Sequence, residues 1–159
     1  MLDPSRLAIK PFLAEDAGLE SGLMIVQYSA AASLGELHGH ASPRTAFSTP
    51  TSAGQEDHVS MGSTACWNLL RAVQRASEVY ACELFVARRG LHFLQTKSSR
   101  QIEVLIRCID TIVENDISDR TTSSELRKIA SELLESSWIS LIESETNRIP
   151  KLNREIPIL

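Results

Sequence analysis

Apolar side chains recur at three- and four-residue spacing over most of the chain, and this helical period is what most constrains the fold. Stripes of this kind, each predicted to be buried, cover residues 69–84, 102–113 and 126–142. No stretch combines sustained two-residue alternation with β-branched residues, the pattern that favours strands. The sequence therefore predicts an all-α protein built as a bundle of long helices.

Local start and stop signals place the first two helices. Residues 19–38 are rich in Ala, Leu and Met, which are good helix formers, and they predict the first helix. Residues 41–54 hold two prolines and many Ser and Thr residues, and they predict a loop. Ser52 and Gln55 have capping-box spacing, which predicts a second long helix beginning at Gln55 and ending near Gly90.

The same signals continue through the second half of the chain. A third helix is predicted to end near Asn115. Thr122 and Glu125 repeat the capping-box spacing and predict the start of a fourth helix. Pro150 and Pro157 mark a non-helical tail, because proline removes a backbone donor and disrupts a helix.

The chain is thereby predicted to be a single helical region over residues 1–159. Residues 1–18 form an irregular N-terminal segment with prolines and glycine at intervals. Long helices and the loop occupy residues 19–94, and residues 95–159 contain two further helices and the tail. Residues 19–38 are apolar or small, so a four-helix bundle would leave apolar surface exposed, which predicts association with another chain.

Composition excludes several classes of protein. Sixteen Lys and Arg against twenty Asp and Glu give a net charge of -4, so no basic excess attracts nucleic acid. No apolar run reaches the roughly 20 residues of a membrane span, and no signal peptide is recognisable, so a cytoplasmic protein is expected. Cys66, Cys82 and Cys108 form no CxxC pair and are predicted to be reduced thiols in the core.

Two kinds of site are considered and not favoured. His38, His40 and His58 could ligate a metal, but no nearby Cys or second close His pair supports them, so no metal is predicted. Common nucleotide-binding and hydrolase motifs do not occur. The pair Arg88 and Arg89 is interpreted as complementing the dipole at a helix end.

Residues 50–62, with the sequence PTSAGQEDHVSMG, concentrate polar groups between the loop and the second helix. The carboxylates of Glu56 and Asp57 suit a helix N-terminus, where backbone N–H groups lack partners. The residues alone leave helix capping and a polar site equally open.

Two motifs resemble those of the histidine ammonia-lyases. Residues 50–62 resemble the family's PTSANQEDHVSMG, with Gly54 in place of Asn, and residues 18–27, GLESGLMIVQ, resemble GLNSGFMIAQ, with Glu20 in place of Asn. Both motifs stand in the family's order and register. The similarity is strong over residues 11–94 and loose beyond them.

The resemblance implies a lyase that removes ammonia from an aromatic amino acid, or an aminomutase that moves the amine. Such enzymes are helical tetramers with active sites shared between chains, and their electrophile is a methylidene-imidazolone (MIO) formed from Ala-Ser-Gly. Glu56 matches the family's catalytic carboxylate, and Met24 and Gln55 match substrate-binding positions. Phenylalanine and tyrosine lyases usually place Gln where Glu56 stands, so histidine is the favoured substrate. Residues 44–49, RTAFST, depart from the family and leave the substrate open.

The 159 residues contain no Ala-Ser-Gly, so no residue here is assigned to the cofactor. The resemblance predicts a C-terminal subunit or fragment that receives MIO from a separate N-terminal half and is inactive alone. Its expected partners are that half, a second copy of itself, or both. Two alternatives stay open: a non-catalytic helical interaction protein derived from the family, and a subunit of an aminomutase.

Overall fold

The computed structural model describes residues 9–94 and 97–146, and within these ranges the protein is helical, with no strand. This confirms the predicted all-α class. Three short 3-10 turns accompany the helices, at Pro11–Leu13, Arg44–Ala46 and Ser52–Gly54. The five α-helices are α1, Met24–His40; α2, Gly62–Leu94; α3, Arg100–Asp110; α4, Ser123–Glu135; and α5, Ser137–Thr146.

Five predicted helix boundaries are wrong. The ends expected near Gly90 and Asn115 lie at Leu94 and Asp110, and the other three differ because the backbone turns left-handed. The first helix begins at Met24 and not at residue 19, after Gly22 with φ +55°. The second begins at Gly62 and not at Gln55, since Ser52 lies in a left-handed turn, φ 55°, and caps no helix. The predicted fourth helix breaks at Ser136, φ 60°, and becomes α4 and α5.

The predicted caps are also only partly right. α4 starts where expected, but the Thr122 side chain makes no capping hydrogen bond. Glu125 turns its carboxylate toward the preceding loop, where it accepts hydrogen bonds from the Glu114 amide at 2.7 Å and from Arg120. Gly90 is buried inside α2, which continues to Leu94. Residues 1–8 and the predicted tail lie outside the described residues.

The C-terminal half of α2 is the centre of the hydrophobic core. α1 packs antiparallel against α2, α4 packs on α2 as well, and α3 pairs with α5. The core cluster draws on every one of the five helices; its buried members are Leu13, Leu23, Val26, Ala81, Cys82, Phe85, Val86, Val104, Cys108, Ile109, Val113, Ile129, Ala130 and Trp138. All the buried residues of α2 lie between Ser77 and Gly90.

The other half of α2 forms a two-helix arm with the end of α1, defined here as residues 33–40 and 62–76. Polar contacts join its helices: Asn68 Nδ2 donates to the His40 carbonyl at 2.7 Å, and Arg75 Nε lies 2.8 Å from Glu36 Oε2. The arm exposes large apolar side chains, namely Leu34, Trp67, Leu69, Leu70 and Val73. Burial of the last three was predicted and is wrong within this chain, whereas the expected exposed apolar surface is present.

No helix among the described residues combines the length and the apolar character that crossing a lipid bilayer requires.

The prediction that the cysteines lie in the core is right for Cys82 and Cys108, which are buried, and wrong for Cys66, which is exposed on the arm.

Gly22→Ala should destabilise the fold. A Cβ at this position would lie 2.6 Å from the Phe12 carbonyl oxygen, and φ +55° disfavours any other residue. The expected loss in the free energy of unfolding is about 2 kcal/mol, measured by urea denaturation. The control is Gly35→Ala within α1, where a Cβ meets nothing within 4 Å; it should stabilise by about 0.5–1 kcal/mol. Equal effects of both substitutions would contradict the geometry at Gly22.

The native chain should show one fast thiol and two slow ones in a titration with Ellman's reagent. Burial raises the pKa of the Cys82 and Cys108 thiols, which lowers the reactive thiolate fraction, while Cys66 is exposed. Cys66→Ser should remove the fast phase, and denaturant should make the two remaining thiols react. Three equally fast thiols in the folded chain would refute the assignment.

Candidate functional site

Residues 51–56 form a tight turn between the two long helices, called here the Thr51–Glu56 turn. Its ends pair through the backbone: the Thr51 amide donates to the Glu56 carbonyl at 2.9 Å, and the Glu56 amide donates to the Thr51 carbonyl at 3.3 Å. The amides of Gly54 and Gln55 donate back to the Thr51 and Ser52 carbonyls, each at 3.1 Å. The turn is therefore closed by its own backbone and needs no helix to hold it.

Three consecutive residues of this turn have left-handed backbone angles. φ is 55° at Ser52, 54° at Ala53 and 82° at Gly54. Such angles cost a residue with a side chain about 1 kcal/mol or more and cost glycine little. The lyase motif that residues 50–62 resemble has Asn at the position of Gly54, and Asn also tolerates this region.

The turn presents Gln55 and Glu56 to solvent. Both side chains are exposed, as are the neighbouring Asp57 and His58. Thr51 Oγ1 donates to Glu56 Oε2 at 3.3 Å, a long hydrogen bond. Oε1 of the same carboxylate has no hydrogen-bond partner among the described residues. The carboxylate is thus available to a group approaching from outside.

Met24, the third predicted site residue, begins α1 and is half-buried. The segment before it is fixed by a distant carboxylate, since the Ser21 and Gly22 amides both donate to Asp119, each at 2.8 Å. Asp119 lies 97 residues beyond Gly22 in the chain. No pattern in the sequence indicated this contact, because a carboxylate that holds backbone amides has no characteristic spacing.

The structure brings Gln55 and Glu56 together but does not join Met24 to them. α1 runs about 25 Å from Met24 to His40. His40 pairs with Asn68 near the start of α2, so the 41–61 connection belongs to the opposite end of the helical pair. Within the described part of the chain, no hydrogen bond links Met24 with Gln55 or Glu56.

The Arg88–Arg89 pair has a different role from the one predicted. α2 extends beyond both residues, so they do not serve its C-terminal dipole. Arg88 Nε lies 2.6 Å from Asp110 Oδ1, and Arg88 Nη2 donates to Asn115 Oδ1 at 2.5 Å. Arg89 is 7% exposed and donates to the backbone carbonyls of Asp116 and Ile117. Both arginines fasten the segment between α3 and α4 to α2.

A cavity of about 440 Å³ opens beside Arg89. Ser21 and Gly22 border one side of it, and residues 117–123 with Leu126 border the other. Arg89 forms no ion pair with a carboxylate among the described residues. Burial lowers the pKa of Arg89, and the nearby Arg120 lowers it further, while Glu15 and Glu20 oppose the shift.

The histidines considered as metal ligands are not assembled into a site. His40 Nδ1 lies 2.7 Å from Asn68 Oδ1, and His38 and His58 are exposed. Within residues 9–94 and 97–146, no three His, Cys, Asp or Glu side chains are grouped as metal ligands would be.

The helical arrangement matches the fold shared by a histidine ammonia-lyase and a phenylalanine aminomutase of known structure. The model of the aromatic amino acid lyase family matches residues 1–111. The chain therefore belongs to this family.

Its relatives include several histidine ammonia-lyases. That of Deinococcus radiodurans is 33% identical over 150 residues, which are 94% of this chain and 29% of the relative. The crystal structure of the Trypanosoma cruzi histidine ammonia-lyase superimposes with a TM-score of 0.84 at 26% identity, covering 90% of this chain and 28% of that one. The Pantoea agglomerans phenylalanine aminomutase gives a TM-score of 0.79 at 28% identity, covering 84% and 26%. The chain thus spans less than a third of the length of these relatives.

Gly54→Val should open the Thr51–Glu56 turn, whereas Gly54→Asn should leave it closed. A Cβ at this position meets nothing within 4 Å, so the difference isolates the cost of φ +82°. That cost is about 1–2 kcal/mol for a β-branched residue. Hydrogen exchange of the Glu56 amide measures it: protection should fall about tenfold in the valine variant and change little in the asparagine variant. The same loss in both variants would show that the left-handed angle is not required.

Proposed function

We propose that this chain supplies the C-terminal part of the active site of an ammonia-lyase that acts on an aromatic amino acid, with histidine favoured. Glu56 is the catalytic residue, and Met24 and Gln55 bind the substrate. The observation that carries the proposal is the exposed Glu56 carboxylate on a strained turn, within a chain that belongs to the lyase family.

Glu56 has chemistry that suits an imidazole substrate. A carboxylate accepts a hydrogen bond from an imidazole N–H, and it can also take up or return a proton during elimination. The glutamine that phenylalanine and tyrosine lyases usually carry at this position cannot ionise. The identity of this one side chain therefore favours histidine over an uncharged aromatic ring.

The electrophile comes from polypeptide outside these 159 residues, either within a longer chain or in a separate one, because Ala-Ser-Gly does not occur among them. When present, MIO would provide the electron sink that activates the substrate. The free Oε1 of Glu56 suits a site that closes around another polypeptide, since a carboxylate fully used by its own chain would have no remaining acceptor.

The positions of the three site residues support an active site shared between polypeptides. Met24 lies at one end of α1, and the connection that carries Gln55 and Glu56 begins at the other. One substrate contacts all three only if further copies or segments bring equivalent residues together. The exposed apolar face of the arm, with Leu69, Leu70 and Val73, offers a surface for that association.

An aminomutase subunit is the second candidate function. The likeness to the Pantoea agglomerans phenylalanine aminomutase supports it. The two reactions share the removal of the amine and differ in whether it returns to the neighbouring carbon, so analysis of the products of the assembled enzyme distinguishes them.

Complementation tests the lyase proposal. The chain is co-expressed with the preceding portion of a full-length relative that carries Ala-Ser-Gly, and ammonia release from histidine is measured. The assembled protein should be active, whereas the chain alone should release none. Glu56→Gln in the assembly should lower kcat about 100-fold, the lower range of general acid–base effects.

Asp57→Asn is the matched control, because Asp57 is the adjacent exposed carboxylate. It should keep activity within about threefold of the unmodified assembly, and gel filtration should show both variants still assembled. A Glu56→Gln assembly as active as the Asp57→Asn assembly would refute the catalytic role of Glu56. Turnover by the chain alone would refute the external source of the electrophile.

A further inference from the structure

Arg89 is a buried cation that forms no direct ion pair among the described residues, and the Glu15 and Glu20 carboxylates act on it only from beyond ion-pair distance. Its side chain is 7% exposed and donates to two backbone carbonyls, while its Nε has no hydrogen-bond partner among the described residues. The Phe93 ring centroid lies 5.9 Å from its guanidinium carbon. Burial of a charge that no ion pair offsets is costly, so a structure that retains one points to an anion that it binds.

The N-terminal end of α4 borders the 440 Å³ cavity beside Arg89. Thr122, Ser123 and the preceding Thr121 line it, and no side chain caps this helix. The first backbone N–H groups of a helix have no partner within it and carry partial positive charge. An uncapped N-terminus of a 13-residue helix therefore faces the space that Arg89 borders.

The carboxylates around the cavity are already held by other groups. Asp119 accepts from the Ser21 and Gly22 amides, and Asp116 accepts from the Ser118 amide and hydroxyl. Glu125 binds Arg120 at 2.5 and 2.9 Å. Glu20, which also acts on Arg89, accepts from the Glu15 and Asp16 amides. None of these carboxylates forms an ion pair with Arg89.

We infer that this cavity binds a small oxyanion, a phosphate or a carboxylate, between Arg89 and the N-terminus of α4. The hydroxyl groups of Ser118, Thr121 and Ser123 line the same space and can donate to the anion. Its volume of about 440 Å³ exceeds that of a bare ion, and Ile25, Phe85 and Leu126 form an apolar wall. The site therefore accepts an anionic group attached to a small organic body. It is independent of the proposed lyase function.

Thermal unfolding of the full chain tests the site, with phosphate or acetate replacing chloride at constant ionic strength. Each anion that binds should raise Tm with its concentration, by about 5 °C at a hundredfold excess over its Kd. A response to phosphate alone identifies a phosphate site, and a response to acetate as well identifies a general oxyanion site. No response to either anion would overturn the inference.

Substitutions test whether the rise in Tm comes from anion binding in this cavity. Arg89→Gln should abolish it, whereas Arg88→Gln, the same charge change one residue earlier and outside the cavity, should retain it. Ser123→Asp places a carboxylate at the first position of α4, which the helix dipole favours, and should abolish the response without unfolding the chain. The Nε–H resonance of Arg89 should shift on adding phosphate. A Ser123→Asp chain that responds like the unmodified one, or an Arg89 resonance that stays unchanged, would refute the site.

Discussion

The small-residue and apolar stripe on the C-terminal half of α2 is the surface on which the other helices assemble. Ala81 is fully buried and Phe85 nearly so, which lets α1 and α4 pack closely around a helix that stays continuous for 33 residues. Since burial of apolar area is the main favourable term in folding, stability is concentrated in this half. The arm beyond it is held largely by polar contacts and by the continuity of its two helices.

Polar contacts then fix the positions of two segments, the one between α3 and α4 and the one just before α1. Arg88 and Arg89 fasten the segment between α3 and α4 to α2, and Arg120 with Glu125 braces that segment from within. Asp119 belongs to the same segment, and its carboxylate accepts hydrogen bonds from the Ser21 and Gly22 amides just before α1. The position of Met24 therefore depends on residues almost a hundred positions later in the chain. A substitution in this segment would displace the start of α1 without touching the motif that contains it.

The sequence predicted helix existence well and helix ends poorly, for a physical reason. Apolar spacing reports which face a helix buries, so the helices of residues 69–84 and 126–135 were recognisable. Helix ends depend on single residues with left-handed backbone angles. The residue types of Ser52, Ala53 and Ser136 do not indicate that these positions adopt such angles. The prediction of burial was wrong at Val73. Periodicity shows that an apolar face needs a partner helix, but it cannot tell whether that helix belongs to the same chain. The site residues came from motif resemblance, whereas the role of Asp119 and the actual role of Arg89 emerged only from the folded contacts.

The exposed Glu56 carboxylate and the exposed apolar side chains of the arm belong to the same end of the helical pair. The connection that carries Glu56 joins the ends of α1 and α2 whose apolar side chains lie exposed. Catalysis requires a carboxylate held within fractions of an ångström, and one 3.3 Å hydrogen bond from Thr51 does not supply that restraint. A partner that covers Leu69 and Leu70 would bury apolar area and, in the same step, surround the turn. Under the proposed function, assembly and catalytic competence are therefore one event, since the contacts that stabilise the arm are those that would order Glu56.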